Sequence, residues 1–120
     1  MALKHNDMPK AVEDCHALLA WMIPHLDKFP RARRFTLGER IETGVLRVLE
    51  KLIEAAYRRD REEILVAANL QLDVARHLWR LSHTLHAISD KCYGQGAERM
   101  VELGRQIGGW RKYSRGEVGT

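Results

Sequence analysis

Glu13 and His16 stand three residues apart. That spacing puts a carboxylate and an imidazole on one face of a helix, and di-metal helical bundles use it in pairs. Such a site needs a second Glu-x-x-His and a Glu from each of two further helices. The sequence does not supply the second pair, because no Glu lies three residues before His77, His83 or His86. His83 and His86 could offer two zinc ligands, but a zinc site takes at least a third. There is no G-x-S-x-G, Walker loop or H-E-x-x-H. Gly108-Gly109 lies late in a helical pattern, not at the strand-to-helix turn where a phosphate loop sits. These patterns predict no catalytic, cofactor-binding or metal-binding residue and a protein that is not an enzyme, with a metal-carboxylate bundle enzyme as the least favoured alternative.

The remaining chemistry is cationic. Arg76 and Arg80 are one helical turn apart, with His83 below them. Asp73 can pair with Arg76 in the same helix, which is worth about 0.2–0.5 kcal/mol. One acid cannot neutralise both arginines, so a positive stripe survives. Arg31, Arg33 and Arg34 precede a Thr36-x-x-Glu39 spacing that reads as a capping box. The positive end of a helix dipole disfavours cations there. Two readings of the cluster stay open: contact with an outside partner, or solvated loop charges. Arg111, Lys112 and Arg115 form a basic end to the last helical segment, where the dipole favours cations.

The elements that must carry these groups are helices. Val12, Cys15, Leu19, Met22 and Leu26 step by three and four, as do Ile41, Val45, Val48, Leu52 and Ala55. The expected helices cover about residues 8–28, 36–57 (or from Pro30), 61–89 and 96–113. Asp7 is the expected first cap, Pro24 a kink or early end, and Asp90 to Gln95 a loop. Gly104 and Gly108 are expected to admit a neighbouring backbone. Leu19, Met22, Ile41, Val48, Leu52, Leu78 and Met100 are the expected core. Four amphipathic helices with short connections predict an all-α, up-down-up-down four-helix bundle. The third helix is apolar over an arc of roughly 200°, against the ~100° that one-sided packing needs. The excess predicts a subunit interface.

The totals agree with one domain. The chain has 120 residues, 45% hydrophobic and 30% charged, with 20 Lys and Arg against 16 acids for a net charge of +4. That bias is compatible with nucleic acid. The two cysteines form no CxxC, and no apolar run approaches the ~18 residues of a membrane span. Reduced thiols and a cytoplasmic location are expected.

Phe29-Pro30-Arg31, Arg34-Phe35-Thr36-Leu37-Gly38-Glu39-Arg40-Ile41, Leu52-Ile53-Glu54-Ala55-Ala56-Tyr57, Arg76-x-x-x-Arg80-Leu81 and Gly104-Arg105-x-x-Gly108-Gly109-Trp110 together resemble the four-helix-bundle protein family. Within it the likeness is to the Avd (accessory variability determinant) proteins of diversity-generating retroelements. The resemblance implies a homopentameric barrel of bundles that binds RNA or DNA through a basic surface. It implies association with the element's reverse transcriptase, supporting mutagenic cDNA synthesis and retrohoming. The resemblance points to Arg76 and Arg80 as positions that give the barrel its charge; the charge pattern adds His83, Arg31, Arg33, Arg34, Arg111 and Lys112 as expected nucleic-acid-binding residues. Arg111 departs from the apolar residue that many relatives carry after the Trp. A pentamer would carry about +20, a substantial field. Related bundles encoded in ribosomal RNA intervening sequences imply a ribosome- or RNA-associated role as the alternative.

Overall fold

The computed structural model describes residues 8–116. Four long helices run through it: α1 (Lys10–Asp27), α2 (Glu39–Ala56), α3 (Glu62–Thr84) and α4 (Asp90–Ser114). No strand occurs among the described residues. Each helix packs on its neighbour in sequence, and α1 closes against α4. The result is a four-helix bundle with extents of 47 × 25 × 22 Å. Asp7 lies outside the described residues. α1 instead begins after Pro9, whose carbonyl takes the Val12 N–H at 3.0 Å. Pro24 does not end α1, which continues to Asp27.

Of the expected core, Leu19, Met22, Ile41, Val48, Leu52 and Met100 are buried. Leu78 is only half-buried against the core; its neighbour Trp79 takes the interior position. Trp79 donates its Nε1–H to the Tyr93 carbonyl at 3.0 Å. It meets Trp21 edge-on at 6.2 Å and stacks with Phe29 at 6.4 Å.

Three expectations need correction. The Thr36–Glu39 capping box does not form. The chain turns helical at Arg31, immediately after Pro30, whose carbonyl accepts the N–H groups of Arg33 and Arg34. It then passes through a π-helical segment, Arg34–Gly38, directly into α2. Thr36 is therefore inside helical backbone, and its hydroxyl bonds back to the carbonyls of Ala32 and Arg33. The third helix stops at Thr84, not near residue 89, with His86 in the left-handed region at φ 61°. The fourth starts at Asp90, so Asp90 to Gln95 is helix rather than loop. Ser89 caps it, its hydroxyl accepting the Cys92 N–H at 3.1 Å.

The glycine that permits close approach is Gly96. A Cβ there would lie 2.6 Å from the Trp79 ring. At Gly104 the nearest neighbour would be an ordinary 3.7 Å from the Cβ, and at Gly108 there is open space. Gly96→Ala should therefore destabilise the bundle by about 1–3 kcal/mol through overpacking. Gly94→Ala, whose Cβ would meet nothing within 4 Å, should be neutral or stabilising by up to about 1 kcal/mol through helix propensity. Thermal unfolding followed by circular dichroism separates the two; equal melting temperatures for the pair would refute the packing argument.

Candidate nucleic-acid interface

α3 positions the central pair of arginines. Its buried side is Leu65, Ala68, Leu72, Ala75, Trp79 and Ser82. At 100° per residue, Arg76 and Arg80 then lie beside that buried side, on the edge facing α4. Arg76 sits 3.7 Å from Asp73, which also lies 3.8 Å from His77. Arg80 is exposed and has no carboxylate partner among the described residues. The two arginines border a small cleft of about 170 Å3 that reaches Trp79, Tyr93 and Met100.

His83 is held differently. Its Nε2 is 2.7 Å from Asp90 Oδ1, and its ring stacks on Tyr93 at 4.4 Å and 12°. It ties the end of α3 to the first turn of α4. Arg34 is likewise engaged: 2.9 Å from Asp27, 3.8 Å from Glu42, and over the Phe35 ring at 5.5 Å. Those carboxylates explain how a cation is tolerated in the first turns of a helix, where the dipole alone opposes it. Arg31 and Arg33 have no such partner among the described residues. Arg111 is 2.6 Å from Glu62. That pair joins the last turn of α4 to the first turn of α3, with each charge at its favourable helix end. Lys112 is exposed beside it.

The structure thus sorts the eight predicted binding residues. Arg34, Arg111 and His83 hold carboxylates that also fasten elements together. Arg76 holds one weakly, and Arg80, Arg31, Arg33 and Lys112 hold none among the described residues. Sequence reasoning missed Arg40 and Arg47, which also lack a carboxylate partner among the described residues. Their signal is a seven-residue spacing on the outer side of α2. The apolar periodicity of the same helix drew attention to its inner side.

The outward side of α3 is apolar. Val66, Leu70, Val74 and Leu81 are exposed there, continued by Leu85, with Leu70 at 64%. No group of three or more His, Cys, Asp or Glu that could hold a metal occurs among the described residues. No helix among them is long and apolar enough to cross a membrane.

Residues 11–114 match the model of the family described as bAvd-like. The chain belongs to the bAvd-like family. None of the curated proteins and none of the solved structures matches it. The family match spans all four helices, so both the arginine edge of α3 and the closing Gly-Arg-x-x-Gly-Gly-Trp of α4 lie within it.

Two thiols add titratable groups to the bundle. Cys92 lies 3.5 Å from His25 Nδ1, between α4 and α1. Partial burial raises its pKa, and Lys28 offsets part of that rise. Cys15 is fully buried, and burial pushes it from 9.0 up to about 12. Its protonated state is thus favoured by folding. That contribution is whole below pH 9, the pKa of the unfolded thiol, and is lost as pH climbs toward 12. Unfolding free energy should fall above pH 9 with a Cys15 component of at most about 1.4 kcal/mol per pH unit. Denaturant titrations of the protein and of Cys15→Ala across this range should differ in slope; parallel pH profiles would refute the assignment.

Proposed function

We propose that this protein is a non-enzymatic accessory subunit of a diversity-generating retroelement, acting in the cytoplasm. In this reading it assembles as a homopentamer and binds RNA or DNA through its basic surface. It associates with the reverse transcriptase and supports mutagenic cDNA synthesis and retrohoming. The observation that carries the reading is the bAvd-like match across residues 11–114.

The geometry supports the binding step and ranks its residues. Arginine suits phosphate because its planar fork donates two parallel hydrogen bonds. A guanidinium already bound to a carboxylate must release it before taking a phosphate. Arg80 has no carboxylate to release, and Arg76 only a 3.7 Å contact. Both project from a 23-residue helix, so little ordering entropy is lost. Arg31, Arg33 and Lys112 extend the surface. Arg34 and Arg111 contribute mainly to the field, because their direct contacts, like those of His83, are spent within the bundle. The exposed apolar stripe from Val66 to Leu85 supports self-association, since burying Leu70 and Val74 would remove a row of apolar side chains from water.

Replacing Arg76 and Arg80 together by Ala should weaken binding to all sequences alike. The slope of log affinity against log salt should flatten by about 0.9 per lost duplex phosphate contact. An unchanged slope in a correctly assembled double mutant would remove α3 from the interface. Light scattering should give a mass about five times the 13.9 kDa of one chain. Leu70→Glu with Val74→Glu should lower it; a monomer in the unaltered protein would overturn the assembly. Affinity capture from the native host should bring down the reverse transcriptase. Recovery of ribosomal RNA without it would decide for the ribosome-associated role instead.

A further inference from the structure

A second basic surface lies on the other side of α3. α2 and α3 border a groove of about 670 Å3, within the range of roughly 300–1,000 Å3 usual for ligand sites. Its walls carry Phe35, Arg40, Thr43, Arg47 and Gln71. Phe35 is 68% exposed. It projects from the π-helical segment Arg34–Gly38, and local π-helical turns concentrate at functional sites. Its ring is backed by the Arg34 guanidinium at 5.5 Å, which Asp27 in turn holds at 2.9 Å. The result is a braced aromatic platform open to solvent.

Arg40 and Arg47 are both exposed, and neither has a carboxylate partner among the described residues. Seven residues at 1.5 Å separate them by about 10.5 Å along α2, so they reach different phosphates of one backbone rather than clamp a single one. Glu39 also borders the groove, and the two arginines outnumber it. Thr43 and Gln71 add neutral hydrogen-bonding groups between the charges.

We propose that the groove between α2 and α3 is a binding site for a single strand of nucleic acid, with an unstacked base on Phe35 and flanking phosphates on Arg40 and Arg47. The proposal takes its ligand class from the nucleic-acid reading above but uses residues separate from the α3 edge. Charge complementarity selects a polyanion. The exposed ring selects a single strand, because base faces in a duplex are already covered by their neighbours. The neutral hydrogen-bonding groups suit any base, so sequence preference is weak.

Fluorescence anisotropy with labelled oligothymidine and with a duplex of equal length tests the site on the full-length protein. Phe35→Ala should weaken oligothymidine binding on the order of tenfold, the loss expected for one stacked base, and leave the duplex nearly unaffected. Arg40→Gln with Arg47→Gln should flatten the salt dependence for the oligothymidine. Phe35→Trp should give an emission that oligothymidine quenches, beyond any change seen in the unaltered protein. The Arg76→Ala, Arg80→Ala variant should lose more affinity for the duplex than for the single strand.

If the Phe35 and Arg40/Arg47 variants bind both probes as the unaltered protein does, the groove is not the site. If these variants lose binding only together with a change in assembled mass, the groove is a subunit contact and the proposal is overturned. Failure of the unaltered protein to bind either probe would defeat the nucleic-acid reading as a whole, an outcome distinct from both.

Discussion

The burial of Trp79 is the constraint on which the rest of the bundle depends. The indole is almost completely enclosed and spends its one polar group on the Tyr93 carbonyl. That bond fixes α3 against α4 in both rotation and height. Gly96 is the position that yields, since any side chain there would enter the ring. Trp21 from α1 and Phe29 from the turn after it complete the enclosure. One side chain thereby gathers three helices and the connection to the fourth. Its position also sets the surface. With Trp79 pointing inward, the helical repeat leaves Arg76 and Arg80 no place except the edge of α3.

The charges divide by the same logic. Three of the groups that join one element to the next are held by carboxylates. Arg111 reaches Glu62 across the α3–α4 seam, Arg34 reaches Asp27 across the α1–α2 connection, and His83 meets Asp90 at the turn between α3 and α4. Some cations on the helix sides pair within their own helix, as Lys10 does with Asp14 and Arg105 with Glu102, and others do not. Arg40, Arg47 and Arg80 lack carboxylate partners among the described residues, and Arg76 has only a distant one. A net charge of +4 therefore understates the local field. Asp14, Asp27, Glu54, Glu62, Asp90 and Glu102 pair with other groups, while these guanidiniums line two edges of the bundle.

Periodicity made the helices and most of the core legible, because a 3.6-residue repeat of apolar residues has one folded reading over such lengths. It failed where local signals competed. Thr36 and Glu39 have the spacing of a cap, but Pro30 had already supplied the helix start, and the π-helical segment absorbed the residues between. Gly94 suggested a loop over Asp90 to Gln95, whereas Ser89 followed by Asp90 was the stronger signal for a helix start. Leu78 and Trp79 are adjacent and both apolar, so the repeat could not say which of them faced inward. At the candidate interface, arginines were easy to find, but their partners were not. Whether Arg34 is free or held by Asp27, seven residues away across a turn, depends on tertiary structure. The exposure of Phe35 was hidden for a related reason. A π-helical turn rotates the helix beyond it, and a pattern read at a constant 100° per residue misses that rotation.

The placement of the apolar stripe links these surfaces. Val66, Leu70, Val74 and Leu81 lie on the outward side of α3, with the Arg76–Arg80 edge to one side and the α2–α3 groove to the other. Val74 belongs to both the stripe and the groove wall. In an assembly closed through the stripe, the subunit contact would border both basic edges and, at Val74, reach the wall of the groove. Successive subunits would then bring their arginines near one another, so that a polyanion could touch more than one subunit. Such an arrangement favours a long nucleic acid over a short one by effective concentration, even though each subunit offers only a few guanidiniums without a carboxylate. Under the proposed assembly, a modestly basic chain would hold nucleic acid by aligning the few arginines that the fold leaves uncommitted.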